Sequence, residues 1–142
     1  MLEALSISLN KFAVVGFLTY ILGAAVLFAL FQFVYTRLTP HKEFQLIREG
    51  NVSAAIALGG AIIGFAIPVS NVIAYSISLL DFAVWALIAA VVQLLAFLMT
   101  SLVLKGTSQR IRNGEIAAGI YVAAVAISVG LLNAACMTPS QN

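Results

Sequence analysis

Charge is what this chain has least of. Only 8% of its 142 residues are Asp, Glu, Lys or Arg, while 63% are hydrophobic and the mean hydropathy is +1.10. A soluble domain carries about 25% charged residues, so a surface facing water all round is excluded and an integral membrane protein is implied. The net charge of +2 is too small for a nucleic-acid footprint, which needs Lys and Arg clustered on one face. Cysteine occurs once, at Cys136, which excludes an internal disulfide and a multi-cysteine metal site. The single His41, beside a proline, cannot build a metal centre. No Ser/His/Asp set and no phosphate-cradling glycine loop is visible. The expectation is a non-enzyme that needs neither metal nor cofactor.

Long apolar runs are abundant. A spanning helix needs about 20 mostly apolar residues, because the hydrocarbon core is about 30 Å thick and a helix rises about 1.5 Å per residue. Residues 12–35, 51–80, 82–104 and 116–137 meet that requirement. Backbone polar groups find no water in lipid, so these runs are read as helices, and no barrel-like alternation interrupts them. The run 51–80 exceeds what a bilayer needs, which predicts tilt, a kink or extension beyond the lipid. The first run is too long for the apolar region of a signal peptide, and no A-x-A-like cleavage site follows it. It is read as a retained helix. The fold class is thus an all-α membrane protein with four transmembrane helices.

Basic residues orient them. Arg37, Lys42 and Arg48, with His41, fall between helices one and two, and Lys105, Arg110 and Arg112 between helices three and four. Only Lys11 lies on the other side. The positive-inside rule then places both basic loops in the cytoplasm and both termini outside.

The two basic loops also resemble each other. "IREGN" at 47–51 returns as "IRNGE" at 111–115, and sliding the chain by 64 residues matches Ile47 with Ile111, Arg48 with Arg112 and Gly50 with Gly114. Ala54/Ala118, Ile56/Ile120 and Phe33/Phe97 match as well. Each unit reads as helix, basic loop, helix, so the copies face the same way: two tandem, parallel-oriented hairpins, at 12–80 and 81–137. Residues 1–11 and 138–142 form an external N-terminal segment and tail. A two-fold axis can line a pathway or simply build a stable bundle, and fold symmetry alone carries no function.

With these hairpins, "IREGNVSAAIALGGAIIGFAI" and the later "DFAVWALIAAVVQLLAF", the chain resembles the bacterial domain of unknown function 350 family, the YjfL-type small inner-membrane proteins. The resemblance runs from about Lys11 to Met137 and is most specific at Glu49 to Ile67. It implies a four-helix inner-membrane protein of two tandem repeats, and it implies no catalytic residues.

Three groups of residues are candidates for function. In the corners, Gly50 and Gly114 are expected to take the left-handed cap conformation. Thr39 and Pro40 are read as opening a short helix, and Asn51 and Glu115 as accepting the free N–H groups of the next one. Arg37, Lys42, Arg48, Lys105, Arg110 and Arg112 can contact anionic lipid or an acidic peripheral protein. Among small residues, Gly60 and Gly64 make a GxxxG whose repeat partners are Ala124 and Ser128, faces that pack helices within one bundle or between subunits of a homo-oligomer. Among intramembrane polar groups, Gln32, Asn71, Gln93 and Asn133 can bond between helices or line a pore. Pro68, beside Ser70 and Asn71, is expected to kink helix two. No ionisable residue lies mid-membrane, which argues against a proton-coupled antiporter. The leading expectation is a homo-oligomeric inner-membrane scaffold or envelope-stress component presenting basic cytoplasmic loops. The alternative is an ion channel or small-solute pore lined by Gln93, Gln32 and Asn71.

Overall fold

The computed structural model describes residues 10–40 and 42–138, so His41 and most of the expected terminal segments lie outside it. All regular structure among the described residues is helical. Four long helices, α1 (Lys11–Leu38), α3 (Val52–Tyr75), α4 (Leu79–Val103) and α6 (Ile116–Cys136), are long and apolar enough to cross a membrane. Two six-residue helices, α2 (Glu43–Arg48) and α5 (Thr107–Arg112), occupy the two basic loops.

Polar caps punctuate the apolar runs. Asn10 Oδ1 accepts from Ala13 N at 2.7 Å, Asn51 Oδ1 from Ala54 N at 2.9 Å, and Ser78 Oγ from Asp81 N at 3.1 Å. Each such cap satisfies a donor that the helix leaves free. The long run 51–80 is resolved by these caps: α3 stops at Tyr75, and Leu79 and Leu80 already belong to α4. The expected opening of α2 by Thr39 and Pro40 is corrected. Thr39 closes α1, its N–H bonded to Tyr35 O at 3.0 Å, and Lys42 stands at the N-terminal cap of α2.

α3 and α6 form the central pair and run side by side in the same direction. Ser53 meets Gly119, Gly60 meets Ala123, Gly64 meets Ala126 and Gly130, and Asn71 reaches Ala134. A Cβ on Gly60 or Gly130 would overlap the facing backbone, so the axes approach as closely as bare backbone allows. In lipid such close packing is what draws helices together, because the tails are as apolar as the side chains. Pro68 sits buried inside α3, which continues through it. It cannot donate to Gly64 O, and Gly130 packs against that same carbonyl.

Ala124 and Ser128, the repeat equivalents of Gly60 and Gly64, do not face them within this bundle. Both are exposed, and the face of α6 that meets α3 is Gly119, Ala123, Ala126 and Gly130. The residue opposite Gly60 is Ala123, one position before its repeat equivalent. The rotation of about 100° per residue turns Ala124 away.

α4 covers one flank of the pair through buried Phe82, Ala86, Ala89 and Gln93. α1 is outermost, burying only Ala24, Phe31 and Tyr35. Its anchors are aromatic. Phe31 stacks on Phe65 at 4.2 Å, and Tyr20 meets Phe82 and Tyr35 meets Phe97 edge-on at 5.5 and 5.1 Å. Such pairs contribute about 0.5–1.5 kcal/mol each beyond the area they bury. Outward, Phe12, Phe17, Leu22, Leu80 and Leu132 stand more than half exposed, an arrangement that needs lipid rather than water around it.

Candidate functional site at the corner between the hairpins

The two short helices lie where the polar residues of the sequence concentrate, and each ends in the same way. Gly50 and Gly114 take left-handed φ values of 85° and 76°, as expected of residues without a Cβ. Asn51 N then bonds Leu46 O at 2.9 Å and Gly50 N bonds Ile47 O at 3.0 Å. In the second corner Glu115 N bonds Arg110 O at 3.0 Å and Gly114 N bonds Ile111 O at 2.9 Å. This paired pattern closes a helix whose last carbonyls would otherwise be orphaned. The chain turns through it into α3 and α6, with Asn51 and Glu115 in nearly the same extended conformation.

The exchange of Asn and Glu between the corners has a physical consequence. Asn51 Nδ2 donates to Ile111 O at 2.8 Å and to Arg112 O at 3.2 Å, while its Oδ1 caps α3. Ser53 Oγ donates to Glu115 O at 2.7 Å. A carboxylate at position 51 has no N–H to give, so only an amide can both cap its own helix and tie down the other corner. Beneath these bonds Ile111 is fully buried against Ala54, Ala57, Ala118 and Val122.

Glu115 does not cap α6, contrary to the sequence expectation. Its carboxylate is bound by the Arg110 guanidinium, with Arg110 Nε 2.7 Å from Oε2 and a second, shorter contact from Nη2 to Oε1. This hydrogen bond holds the Glu115 carboxyl below its usual range and the Arg110 guanidinium above its own; partial burial opposes both shifts and the mutual charge supports them. Arg110 is therefore engaged within the chain.

The remaining basic residues are freer. Arg37 lies over the Phe33 ring, 4.6 Å from its centroid, while Lys42, Arg48, Lys105 and Arg112 are exposed. Two of them converge. Lys42 and Arg112, from different corners, line one cleft of about 280 Å³ with Pro40, Gln45 and Leu46. Arg112 also borders an adjoining cleft of about 390 Å³, beside Glu49, Asn51 and Asn113.

The intramembrane amides are placed differently from one another. Gln93 is buried, and its Nε2 donates to Ala126 O at 3.0 Å, bonding α4 to α6. The gap beside it holds only about 10 Å³, room for about one water at most. Asn71 Nδ2 donates to Ala134 O at 2.7 Å and to Thr138 Oγ1 at 3.2 Å. Asn133 is buried, and Gln32 is half-buried on α1. Of the four, only Gln93 lines one of these clefts.

Sequence reasoning passed over Ser53 and Glu43, both almost fully buried. Glu43 shares the inward face of α2 with Leu46 and Ile47, a spacing of three and four residues that was available as a signal. Ser53 offered none, since its role depends on Glu115 arriving beside it.

The sequence model of the family described as Domain of Unknown Function (DUF350) matches residues 6–137. Among similar proteins, the UPF0719 inner membrane protein YjfL of Escherichia coli (strain K12) is 36% identical over 126 residues, covering 89% of this chain and 96% of that protein. The protein of the same name in Escherichia coli O157:H7 matches to the same extent. No solved structure matches the chain. With the family model spanning nearly the whole sequence and four helices able to cross a membrane, the chain belongs to the Domain of Unknown Function 350 family.

Proposed function

We propose that this protein is a non-enzymatic scaffold of the bacterial inner membrane, built from a duplicated hairpin, whose rigid basic corner holds anionic groups at the cytoplasmic face. The observation that carries this reading is the convergence of Lys42 and Arg112 on one cleft, with Arg48 exposed on α2. The corner is preorganised: Asn51 and Ser53 tie the second corner to the first, so the two cations need not be gathered at the moment of binding. Leu46 in the wall gives an apolar floor, as an interfacial lipid site requires, and basic side chains at a membrane surface contribute about 1 kcal/mol each toward anionic lipid.

Both termini lie outside the cytoplasm in this reading. The duplication is supported by α2 and α5, and the starts of α3 and α6, which recur 64 residues apart. Homo-oligomers are favoured by the outward-facing small residues Ala124 and Ser128.

The test measures lipids retained by the purified protein from mixed phosphatidylglycerol and phosphatidylethanolamine, together with capture of cytoplasmic proteins, in wild type and in the triple variant Lys42→Gln, Arg48→Gln, Arg112→Gln. Loss of phosphatidylglycerol enrichment in the variant is expected. Unchanged enrichment and unchanged capture would overturn the scaffold reading. A pore through a single chain has little support, because Gln93 is tied to Ala126. That alternative would need a path between subunits, and conductance abolished by Gln93→Leu would establish it.

A further inference from the structure

The opposite end of the bundle carries a second cavity, which the corner reading leaves without a role. It has a volume of about 320 Å³ and lies where α3 ends, α4 begins and α6 ends, with Tyr75, Ser76, Asp81, Trp85, Met137 and Thr138 in its walls. Its size falls in the range of small-molecule sites. Two features of the wall fit together.

Asp81 is the first. Its Oδ2 accepts from Ile77 N at 3.1 Å, closing the turn into α4. Among the described residues no Lys or Arg pairs with it, and no hydrogen bond reaches its other oxygen. The second is the pair of rings on Tyr75 and Trp85, half exposed on the same cavity. An indole or phenol face attracts a cation within about 6 Å of its centroid. Aromatic residues are common at membrane interfaces as simple anchors, but an anchor does not require an unpaired carboxylate in the same wall.

A carboxylate that no described Lys or Arg pairs with, beside two aromatic faces, complements one kind of group. We infer that this cavity binds an alkylammonium group: the carboxylate balances its charge and the rings cover its methyl or methylene carbons. Inorganic cations fit less well, since they call for several oxygen ligands and gain little from the aromatic walls. The ammonium can belong to a free small amine or to the headgroup of phosphatidylethanolamine, because the cavity opens at the end of the spanning segments.

Trp85 is the only tryptophan in the chain and lies in the cavity wall, so its emission reports on occupancy. Full-length protein in detergent is titrated with choline chloride and with ethanolamine hydrochloride, with sodium chloride at matched ionic strength as control. A saturable change with the amines beyond that with sodium is expected, and Asp81→Asn should weaken the midpoint by about tenfold or more, as loss of a charged contact does. The amide oxygen of that variant would still accept from Ile77 N, so the turn is kept. Tyr75→Leu leaves the capping bonds untouched and should weaken binding as well.

Absence of any saturable response in wild type would overturn the inference, as would equal midpoints in wild type and both variants. Repeating the titration in nanodiscs separates the two sources. A higher choline midpoint in phosphatidylethanolamine than in phosphatidylglycerol assigns the site to the headgroup, and equal midpoints assign it to a free amine.

Discussion

Replacing Gly130 by alanine is the sharpest test of the α3–α6 contact. A methyl group at that position would run into the Gly64 carbonyl, its carbon and its Cα, all backbone atoms that cannot rotate away. In an ordinary helix the same change helps, by about 0.5–1 kcal/mol, because alanine loses less backbone entropy than glycine. Forcing a methyl group into a closed contact costs about 1–3 kcal/mol. With backbone on both sides the upper part of that range applies, and the net effect is a loss of about 1–2 kcal/mol. Gly16 is the control, since a Cβ there meets nothing within 4 Å, and Gly16→Ala should stabilise slightly. The assay is reversible unfolding in mixed micelles of mild detergent and increasing dodecyl sulfate, followed by far-UV circular dichroism. The register between the helices is tested the same way: Ala123→Leu should unfold early, because Ala123 lies against Gly60, whereas Ala124→Leu, exposed within one chain, should cost less. If Gly130→Ala and Gly16→Ala shift the midpoint equally, or Ala124→Leu is the more damaging of its pair, the α3–α6 packing is wrong.

Other expectations follow from single contacts. Asn51→Asp keeps the cap on Ala54 N but cannot donate to Ile111 O; because Ile111 O keeps its bond from Gly114 N, it should cost about 0.5–1.5 kcal/mol for the one lost bond, measured in the same unfolding series, and Asn51→Ala should cost more. Gln93→Leu removes one interhelical bond and should lower stability by only about 0.6 kcal/mol; a loss several times larger would mean that the amide does more than join α4 to α6. Glu115 has its carboxyl held low, first by the hydrogen bond from Arg110. A depressed folded value stabilises the fold above the carboxylate's ordinary range, and that stability is lost as pH falls through the folded value. Arg110→Gln should therefore raise the Glu115 titration midpoint toward the ordinary range in carboxyl-labelled NMR, and an unmoved midpoint would show that the ion pair is absent in solution.

Much of this architecture is legible in the residues alone. The scarcity of charge and the four apolar runs require spanning helices, because lipid offers no partner to a bare backbone. Gly50 and Gly114 announce left-handed turns, since a helix must end there and only glycine turns without strain. Asn51 reads as a cap for the same local reason. All of these are consequences of chain geometry within a few residues, or of the solvent as a whole.

What the sequence could not decide is which faces meet. Gly60 and Gly64 stand out as a small-residue pair, but their partners depend on how far α6 is rotated, and one residue of rotation separates Ala123 from Ala124. Glu115 reads as a cap until Arg110 is seen beside it. The convergence of Lys42 with Arg112, residues 70 positions apart in the chain, exists only because Asn51 and Ser53 clamp the corners together. Composition and local geometry determined the helices, their ends and their need for lipid. Tertiary structure decided the rotation of each helix about its axis, because in lipid every apolar face is equally soluble and only the fit of backbone against backbone selects one.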